Sequence, residues 1–265
     1  MDNDSRPRPL VVAHRGASSE APEHTLAAYR KAIEAGADAL ECDVRLTLDG
    51  HLVCVHDRRV DRVSNGTGFV SGLELARLEE LDFGSWHGGA AEPEEPDRDR
   101  RGVLTLRRLL ELAAEQPRRI ELAVEVKHPT RYAGLVERRL VELLDEFGWA
   151  HPGVDGPAPV RVMSFSRMAI RRIRKLAPAL DVVFLMEPIG YRLRDGQLPR
   201  GTTIGGPSIA IVRDRPEYVE RLHKAGRRVF VWTVDEPTDV ELCLKLGVDA
   251  IITNRPREVR AMVDA

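Results

Sequence analysis

Residues 37–57 have the sequence ADALECDVRLTLDGHLVCVHD, and this stretch decides the fold. Its first half is an apolar run that contains two carboxylates, Glu41 and Asp43. Side chains two residues apart in a strand project from the same face, so these carboxylates point together. Burying two like charges in an apolar strand is costly unless a positive group compensates them. Because carboxylate oxygens are hard ligands, the pattern predicts one divalent cation, Mg²⁺ or Ca²⁺.

The second half of the stretch predicts a β-hairpin. Asp49 and Gly50 form a dipeptide that strongly favours a two-residue turn between antiparallel strands. With these two residues in the turn, counting along the ladder places His56 opposite Asp43. We therefore expect His56 to lie close to the carboxylates. A slip of one residue in the pairing would move its side chain to the other face of the sheet.

Short β-branched runs and amphipathic helical segments alternate along the rest of the chain, which is typical of a parallel sheet. Eight strands are predicted, at residues 10–13, 37–44, 120–126, 160–164, 182–186, 208–212, 228–234 and 249–252. Most connections between them are helical. This pattern predicts an α/β fold, a (β/α)8 TIM barrel. We expect one domain over residues 1–265, with a small insertion after the second strand at residues 51–102.

Composition excludes several classes of protein. The net charge of −2 over 265 residues argues against a nucleic-acid-binding protein, which normally carries a basic excess. Three cysteines in a chain of this length do not make a disulfide framework. No apolar run reaches the ~20 residues of a membrane span, and residues 1–9 lack the apolar core of a signal peptide. A cytoplasmic protein with a small-molecule substrate is expected.

Further polar residues lie at the predicted strand ends, where the active site of a barrel forms. His14 and Arg15 end the first strand and offer a proton carrier and an anion-binding cation. Glu125 and Lys127 share one face of the third barrel strand. Glu125 would complete an oxygen site with Glu41 and Asp43, although a buried Glu–Lys ion pair explains the same spacing.

These segments together resemble the glycerophosphodiester phosphodiesterase family. The resemblance runs over nearly the whole chain, in order and with fitting gaps. It is carried by His14-Arg15-Gly16, Pro22-Glu23-His24-Thr25, Glu41-Cys42-Asp43-Val44, Asp49-Gly50, Val55-His56-Asp57, Glu125-Val126-Lys127, Ser164-Phe165 and Trp232-Thr233-Val234.

The resemblance implies a TIM barrel with an insertion after the second strand. It implies a metal-dependent phosphodiesterase that hydrolyses glycerophosphodiesters to glycerol 3-phosphate and an alcohol. The implied roles follow the matched positions. The metal ligands are Glu41, Asp43 and Glu125, the acid–base pair is His14 and His56, and the substrate-binding residues are Arg15, Lys127 and Trp232.

The sequence departs from the family pattern at a few positions. His24 stands where the family typically has Asn, and Asp235 stands where Asn often follows the Trp-Thr-Val run. His24 is interpreted as a capping or solvent-facing residue at a helix start. Asp57 is expected to orient the site rather than to act directly.

Two other functions remain open on the sequence. A lysophospholipase D or sphingomyelinase D activity uses a similar barrel and similar ligands, and it requires a face that accepts lipid. A non-catalytic ligand-binding barrel would be favoured if a ligand or a histidine were missing, and all of them are present.

Overall fold

The structure, a computed structural model, describes residues 7–88, 98–151, 158–187 and 195–265. Residues 1–6, within the segment used to predict location, and residues 89–97 of the predicted insertion lie outside the described residues. The strands are β1 (Leu10–His14), β2 (Ala39–Leu46), β3 (Leu52–Cys54), β4 (Glu121–Val126), β5 (Val160–Ser164), β6 (Asp181–Met186), β7 (Ile204–Pro207), β8 (Arg228–Val231) and β9 (Ala250–Thr253).

Helices follow most of the strands. They are α1 (Leu26–Glu34), α2 (Leu75–Glu79), α3 (Arg98–Arg101), α4 (Leu106–Ala114), α5 (Leu135–Glu146), α6 (Arg167–Leu176), α7 (Ile209–Asp214), α8 (Glu217–Lys224), α9 (Pro237–Leu246) and α10 (Pro256–Asp264), with 3₁₀ turns at Val70–Gly72 and Ser85–His87. None of the described helices has the length and apolar character that crossing a membrane requires.

Eight parallel strands close into a ring in the order β1-β2-β4-β5-β6-β7-β8-β9, and β9 pairs with β1. This confirms the predicted (β/α)8 barrel. Apolar side chains such as Val12, Val183 and Phe230 fill the ring, while a larger apolar cluster lies between the strands and the helices. The carboxyl ends of all eight strands therefore meet at one mouth.

The prediction of a strand at residues 208–212 is wrong. Ser208 is the N-cap of α7, and its hydroxyl accepts a hydrogen bond from the Ile211 backbone nitrogen. The seventh barrel strand is the preceding segment, β7, which contains Gly205 and Gly206. A Cβ on Gly205 would meet the Leu222 side chain at 2.9 Å, so α8 packs closely against a strand in which two of the four residues are glycine.

The predicted hairpin exists, but the predicted register is wrong by one residue. The backbone nitrogen of Val55 donates to the carbonyl of Asp43 at 3.0 Å, so Val55 lies in the place predicted for His56. The turn has three residues, 48–50, rather than two, and Gly50 takes the left-handed conformation with φ +91°. Such a three-residue turn is the next most common hairpin connection.

The segment between β3 and β4 adds short helices outside the ring. Its apolar side chains, among them Val60, Leu78 and Phe83, form a separate buried cluster with Val53 of the hairpin. The segment therefore packs against the end of β2 and β3, beside the barrel mouth.

Candidate active site

Three carboxylates meet at the carboxyl ends of β2 and β4. Asp43 and Glu125 are direct neighbours across the two parallel strands. Glu41 lies two residues before Asp43 and projects to the same face. One oxygen from each of the three side chains lies within 4.8 Å of the others, and all three residues are buried. The structure brings the three predicted metal ligands together.

The three carboxylates do not share one protonation behaviour. Burial and the neighbouring Asp43 charge raise the pKa of Glu41 well above its ordinary value and raise that of Glu125 to about 8. Burial opposes ionisation of Asp43 as well, but the hydrogen bond from His24 and the charge of Lys127 hold its pKa well below its ordinary value. The protein surroundings therefore favour ionisation of Asp43 and disfavour ionisation of Glu41 and Glu125.

Two cations reach the cluster. Arg15 Nε lies 3.0 Å from Asp43 Oδ2, an ion pair without hydrogen-bond alignment. Lys127 Nζ lies 3.3 Å from Asp43 Oδ1 and 3.0 Å from Glu125 Oε1. The two cations predicted to bind phosphate therefore contact the carboxylates. One of these contacts is the Glu125–Lys127 ion pair, which the sequence spacing also explained.

His14 at the end of β1 is held in one tautomer. Its Nδ1 lies 2.8 Å from Asn254 Oδ1. The Asn254 side-chain nitrogen donates to Asp235 Oδ2 at 2.6 Å, so the amide oxygen faces the histidine. His14 Nδ1 therefore carries the proton and Nε2 presents a lone pair. Burial, assisted by the charge of Arg15, lowers the pKa of His14 to about 4, so the ring is neutral near pH 7.

His56 follows the short strand β3. Its Nδ1 donates to Asp57 Oδ1 at 2.7 Å, and Arg62 Nε donates to the other Asp57 oxygen at 2.6 Å. Asp57 therefore orients the His56 ring, as expected. Burial, with the charge of Arg15, lowers the pKa of His56 despite the opposing charge of Asp43.

One cavity of about 380 Å³ lies at the barrel mouth, and both histidines, both cations and two of the three carboxylates line it, whereas Asp43 does not. His56 borders this cavity although the hairpin register is shifted by one residue. The strand β3 ends at Cys54, two residues before His56, so strand pairing does not determine which way the His56 side chain points. The predicted residues that line the cavity are His14, Arg15, Glu41, His56, Glu125, Lys127 and Trp232.

The loop after β1 has an unusual backbone. Arg15 and His24 take left-handed conformations, with φ of 58° and 61°, which non-glycine residues rarely adopt. Between them Gly16 has φ +86°, and a Cβ there would lie 2.7 Å from Ala28. Strain of this kind concentrates at functional sites. Here it turns the Arg15 backbone nitrogen toward Glu41 Oε2, at 3.0 Å.

The interpretation of His24 as a capping or solvent-facing residue is wrong. The N-cap of α1 is Thr25, and His24 is buried. Its Nε2 lies 3.0 Å from Asp43 Oδ2 and its Nδ1 lies 2.9 Å from the Tyr29 hydroxyl. The Tyr29 hydroxyl also donates to the Glu41 carbonyl at 3.0 Å. His24 and Tyr29 thus support the strand that carries the carboxylates.

Trp232 and Phe165 form an aromatic part of the cavity. Their rings meet edge to face at 5.4 Å, and Trp232 Nε1 donates to the Gly206 carbonyl at 2.8 Å. Glu187 borders the same cavity, and neither it nor Asn254 was predicted as a site residue. Both residues directly follow a barrel strand. The position of a polar residue at the end of a strand, which indicated His14, could therefore have identified them as well.

Comparisons with known proteins agree with this site. A family model described as "Glycerophosphoryl diester phosphodiesterase family" matches residues 14–258. The chain is 46% identical over 256 residues to a Mycobacterium tuberculosis protein named "Probable glycerophosphodiester phosphodiesterase 1", covering 97% of this chain and 93% of the relative. A Caldanaerobacter subterraneus protein named glycerophosphodiester phosphodiesterase is 34% identical, with coverages of 96% and 97%.

Solved structures are similar over the whole barrel. A glycerophosphodiester phosphodiesterase from Agrobacterium tumefaciens matches with a TM-score of 0.75 and 26% identity, covering 96% of this chain and 99% of that one. A phosphodiesterase from Oleispira antarctica, described in complex with the product sn-glycerol-3-phosphate, matches with a TM-score of 0.79 and 25% identity, covering 97% and 98%. The family match and these relatives show that the chain belongs to the glycerophosphoryl diester phosphodiesterase family.

Proposed function

We propose that this protein hydrolyses glycerophosphodiesters to glycerol 3-phosphate and an alcohol, with one divalent cation and with His14 and His56 as the acid–base pair. The observation that carries the proposal is a cluster of three carboxylates beside one cavity, which Glu41 and Glu125 of the cluster line together with two oriented histidines and two cations. A phosphodiester is an anion on which further negative charge develops during attack, and this combination of groups suits that chemistry.

Glu41, Asp43 and Glu125 would hold the cation, Mg²⁺ or Ca²⁺. The donor set fits, because three buried carboxylates supply only hard oxygen ligands. The raised pKa of Glu41 and of Glu125 supports the fit, since a bound cation would balance the charge that disfavours their ionisation. When bound, the ion supplies Lewis-acid polarisation of a phosphoryl oxygen.

Arg15 and Lys127 would bind the phosphate. Two of the three Lys127 N–H groups are directed to Asp43 and Glu125, which leaves one for a substrate oxygen. Arg15 adds a planar fork that matches two phosphate oxygens. Trp232 would contact the carbon part of the substrate on the opposite side of the cavity.

Proton transfer would divide between the histidines. His14 Nε2, with its lone pair, would accept the proton from the nucleophile, because Asn254 keeps the other proton on Nδ1. His56 would act in its imidazolium form, in which Nδ1–H stays bonded to Asp57 and the Nε2 proton passes to the leaving alkoxide. The nucleophile is either water or the glycerol hydroxyl of the substrate, and the second route would form a cyclic phosphate first.

Residues 1–265 would form one catalytic domain, in which 51–102 is the insertion typical of the family. The support is physical contact with the candidate site. Arg62 of the insertion binds Asp57, and it also donates to Glu23 Oε1 at 2.7 Å. The insertion thereby takes part in orienting His56.

A direct test is ³¹P NMR of glycerophosphocholine incubated with the protein, with Mg²⁺ or Ca²⁺ added to a metal-stripped sample. We expect glycerol 3-phosphate to appear only when metal is present, and a cyclic phosphate signal would identify the second nucleophile. Unchanged activity in excess chelator would contradict the metal requirement. Lysophosphatidylcholine as a parallel substrate tests the lipid-cleaving alternative, which preferential turnover of the lysolipid would support.

A further inference from the structure

A second cavity lies beside the candidate active site, between the barrel and the inserted segment. The cations that line it are Arg45, Arg58, Lys127 and Arg131, and none of its lining residues in the described ranges is Asp or Glu. We refer to these four residues and the space between them as the arginine groove. An acid-free cavity with four cations is unexpected in a chain whose net charge is −2.

The three arginines of the groove bind only neutral groups. Arg45 donates from Nε and Nη2 to the His56 carbonyl, at 3.0 and 2.7 Å. Arg131 donates to a backbone carbonyl at 3.1 Å. The Arg58 guanidinium lies over the Phe69 ring, 5.6 Å from its centroid. Within the described ranges, none of the three forms an ion pair with a carboxylate.

Neighbouring arginines behave differently. Arg59 pairs with Asp61 at 2.9 Å, and Arg62 pairs with Glu23 and Asp57. Carboxylates are therefore present in the same segment, and they serve other arginines. Among the groove cations only Lys127 is paired with carboxylates in the part of the chain that the structure describes.

Like charges that line one cavity repel one another, and three guanidinium groups line this one. An anion in the groove would relieve the repulsion, and arginine forks suit phosphate and carboxylate oxygens.

The groove is adjacent to the catalytic cavity. Lys127 lines both cavities. Arg45 binds the carbonyl of His56, whose side chain borders the catalytic cavity. A substrate bound at the carboxylate cluster could therefore extend a second charged group into the groove.

We propose that the arginine groove is a subsite for a second anionic group, a phosphate or a carboxylate, on the alcohol part of the glycerophosphodiester substrate. This inference rests on the proposed function and names a substrate class for it. The concave shape and the shared Lys127 favour a small molecule over a flat anionic lipid surface.

The test compares matched substrates that differ by one anionic group. Glycerophosphoserine differs from glycerophosphoethanolamine by a carboxylate, and bis(glycerophospho)glycerol differs from glycerophosphoglycerol by a second phosphodiester. We expect kcat/KM to favour the anionic member of at least one pair by about tenfold, beyond the statistical advantage of two cleavable bonds, because a charge-assisted hydrogen bond is worth about that factor. High salt should reduce the preference.

The variants are chosen to report on the groove alone. Arg58 and Arg131 are exposed, so the double variant Arg58→Ala/Arg131→Ala should fold, and thermal melting by circular dichroism checks this. We expect its preference to fall below about threefold, since both exposed charges are lost. Arg221→Ala on α8 is the matched control, because α8 packs on β8 across the ring from β4. It should keep the preference.

Each outcome decides between the ideas. A preference that the double variant loses and Arg221→Ala retains supports the subsite. Equal rates in both pairs, or a preference that survives in the double variant, overturn the subsite while leaving the proposed function intact. Absence of turnover with every substrate overturns the proposed function and the subsite with it. In a further outcome, the protein binds phosphatidylglycerol vesicles, loses this binding in the double variant and shows no preference between the matched substrates. That result overturns the subsite in favour of a lipid-binding surface.

Discussion

The cavity at the barrel mouth has two walls of opposite character. The wall from β1, β2 and β4 carries His14, Glu41 and Glu125 and the two cations. Strands β5, β6 and β9 contribute Met163, Leu185 and Ile252, Trp232 follows β8, and Glu187 is the one carboxylate among the described residues of this second wall. Both walls follow from one rule, since strand ends line the mouth of a barrel. Under the proposed function, the first wall would bind the charged phosphodiester, and the second, mainly apolar wall would exclude water and contact the carbon part of the substrate.

The largest effect should come from the carboxylates of the charged wall. Asp43→Asn removes a charged ligand and weakens the contacts with Arg15 and Lys127. We expect kcat/KM to fall by about 10⁴-fold, because a metal ion contributes several kcal/mol to charge stabilisation in the transition state. The rate of glycerol 3-phosphate release measures this loss of activity. The control is Glu220→Gln, at an exposed position of α8, which should keep full activity. A reduction below about tenfold would contradict the assigned role.

The histidines should follow. His14→Ala and His56→Ala remove the proposed base and acid, and each should lower kcat by about 10³-fold while the protein still binds metal. Single-turnover rates and metal titrations on the same samples separate the two properties. Unchanged rates in both variants would refute the acid–base assignment.

His24 should have a smaller effect through Asp43. Removing its ring in His24→Ala takes away the hydrogen bond that orients this carboxylate, and we expect metal affinity to weaken by about 10- to 100-fold. His24→Asn is the matched variant, because an amide can still donate to Asp43 and should restore much of the affinity. The readout is the metal-dependent rise in melting temperature. Equal rises in wild type and His24→Ala would show that the contact has no positioning role.

The apolar wall should show the smallest effect. Trp232→Leu removes the edge-to-face contact with Phe165 and reduces the contact surface, so we expect KM to increase by about 3- to 10-fold with little change in kcat. Steady-state kinetics with glycerophosphoglycerol measure this. A loss of kcat comparable to that of His14→Ala would mean that the two walls do not divide the work as described.

Strong local patterns allowed much of this structure to be predicted. The co-facial carboxylates of β2 and the alternation of strands and helices each depend on a side-chain period, and both predictions hold in the structure. The seventh strand was missed because β7 has the sequence Ile-Gly-Gly-Pro, in which close packing replaces β-propensity. The apolar run that follows β7 has the pattern of a strand, although it belongs to α7.

Errors near the site arose where tertiary contacts outweighed local signals. Asp49-Gly50 favours a two-residue turn, but the Asp49 side chain also accepts hydrogen bonds from Thr47 and from the Leu75 backbone nitrogen, and the turn has three residues. His24 lies two residues after Pro22 and two residues before the first residue of α1, so its sequence context resembles that of an exposed cap. Only the fold brings it to Asp43, 19 positions along the chain.

The central claim is that Glu41, Asp43 and Glu125 form one divalent-cation site. Isothermal titration calorimetry of metal-stripped protein with Mg²⁺ and with Ca²⁺ tests it most directly. The account predicts that at least one of these ions binds at one per chain in the wild type, and that this binding is lost in Asp43→Asn. Absence of binding by either ion, or the same binding in the variant as in the wild type, would contradict it.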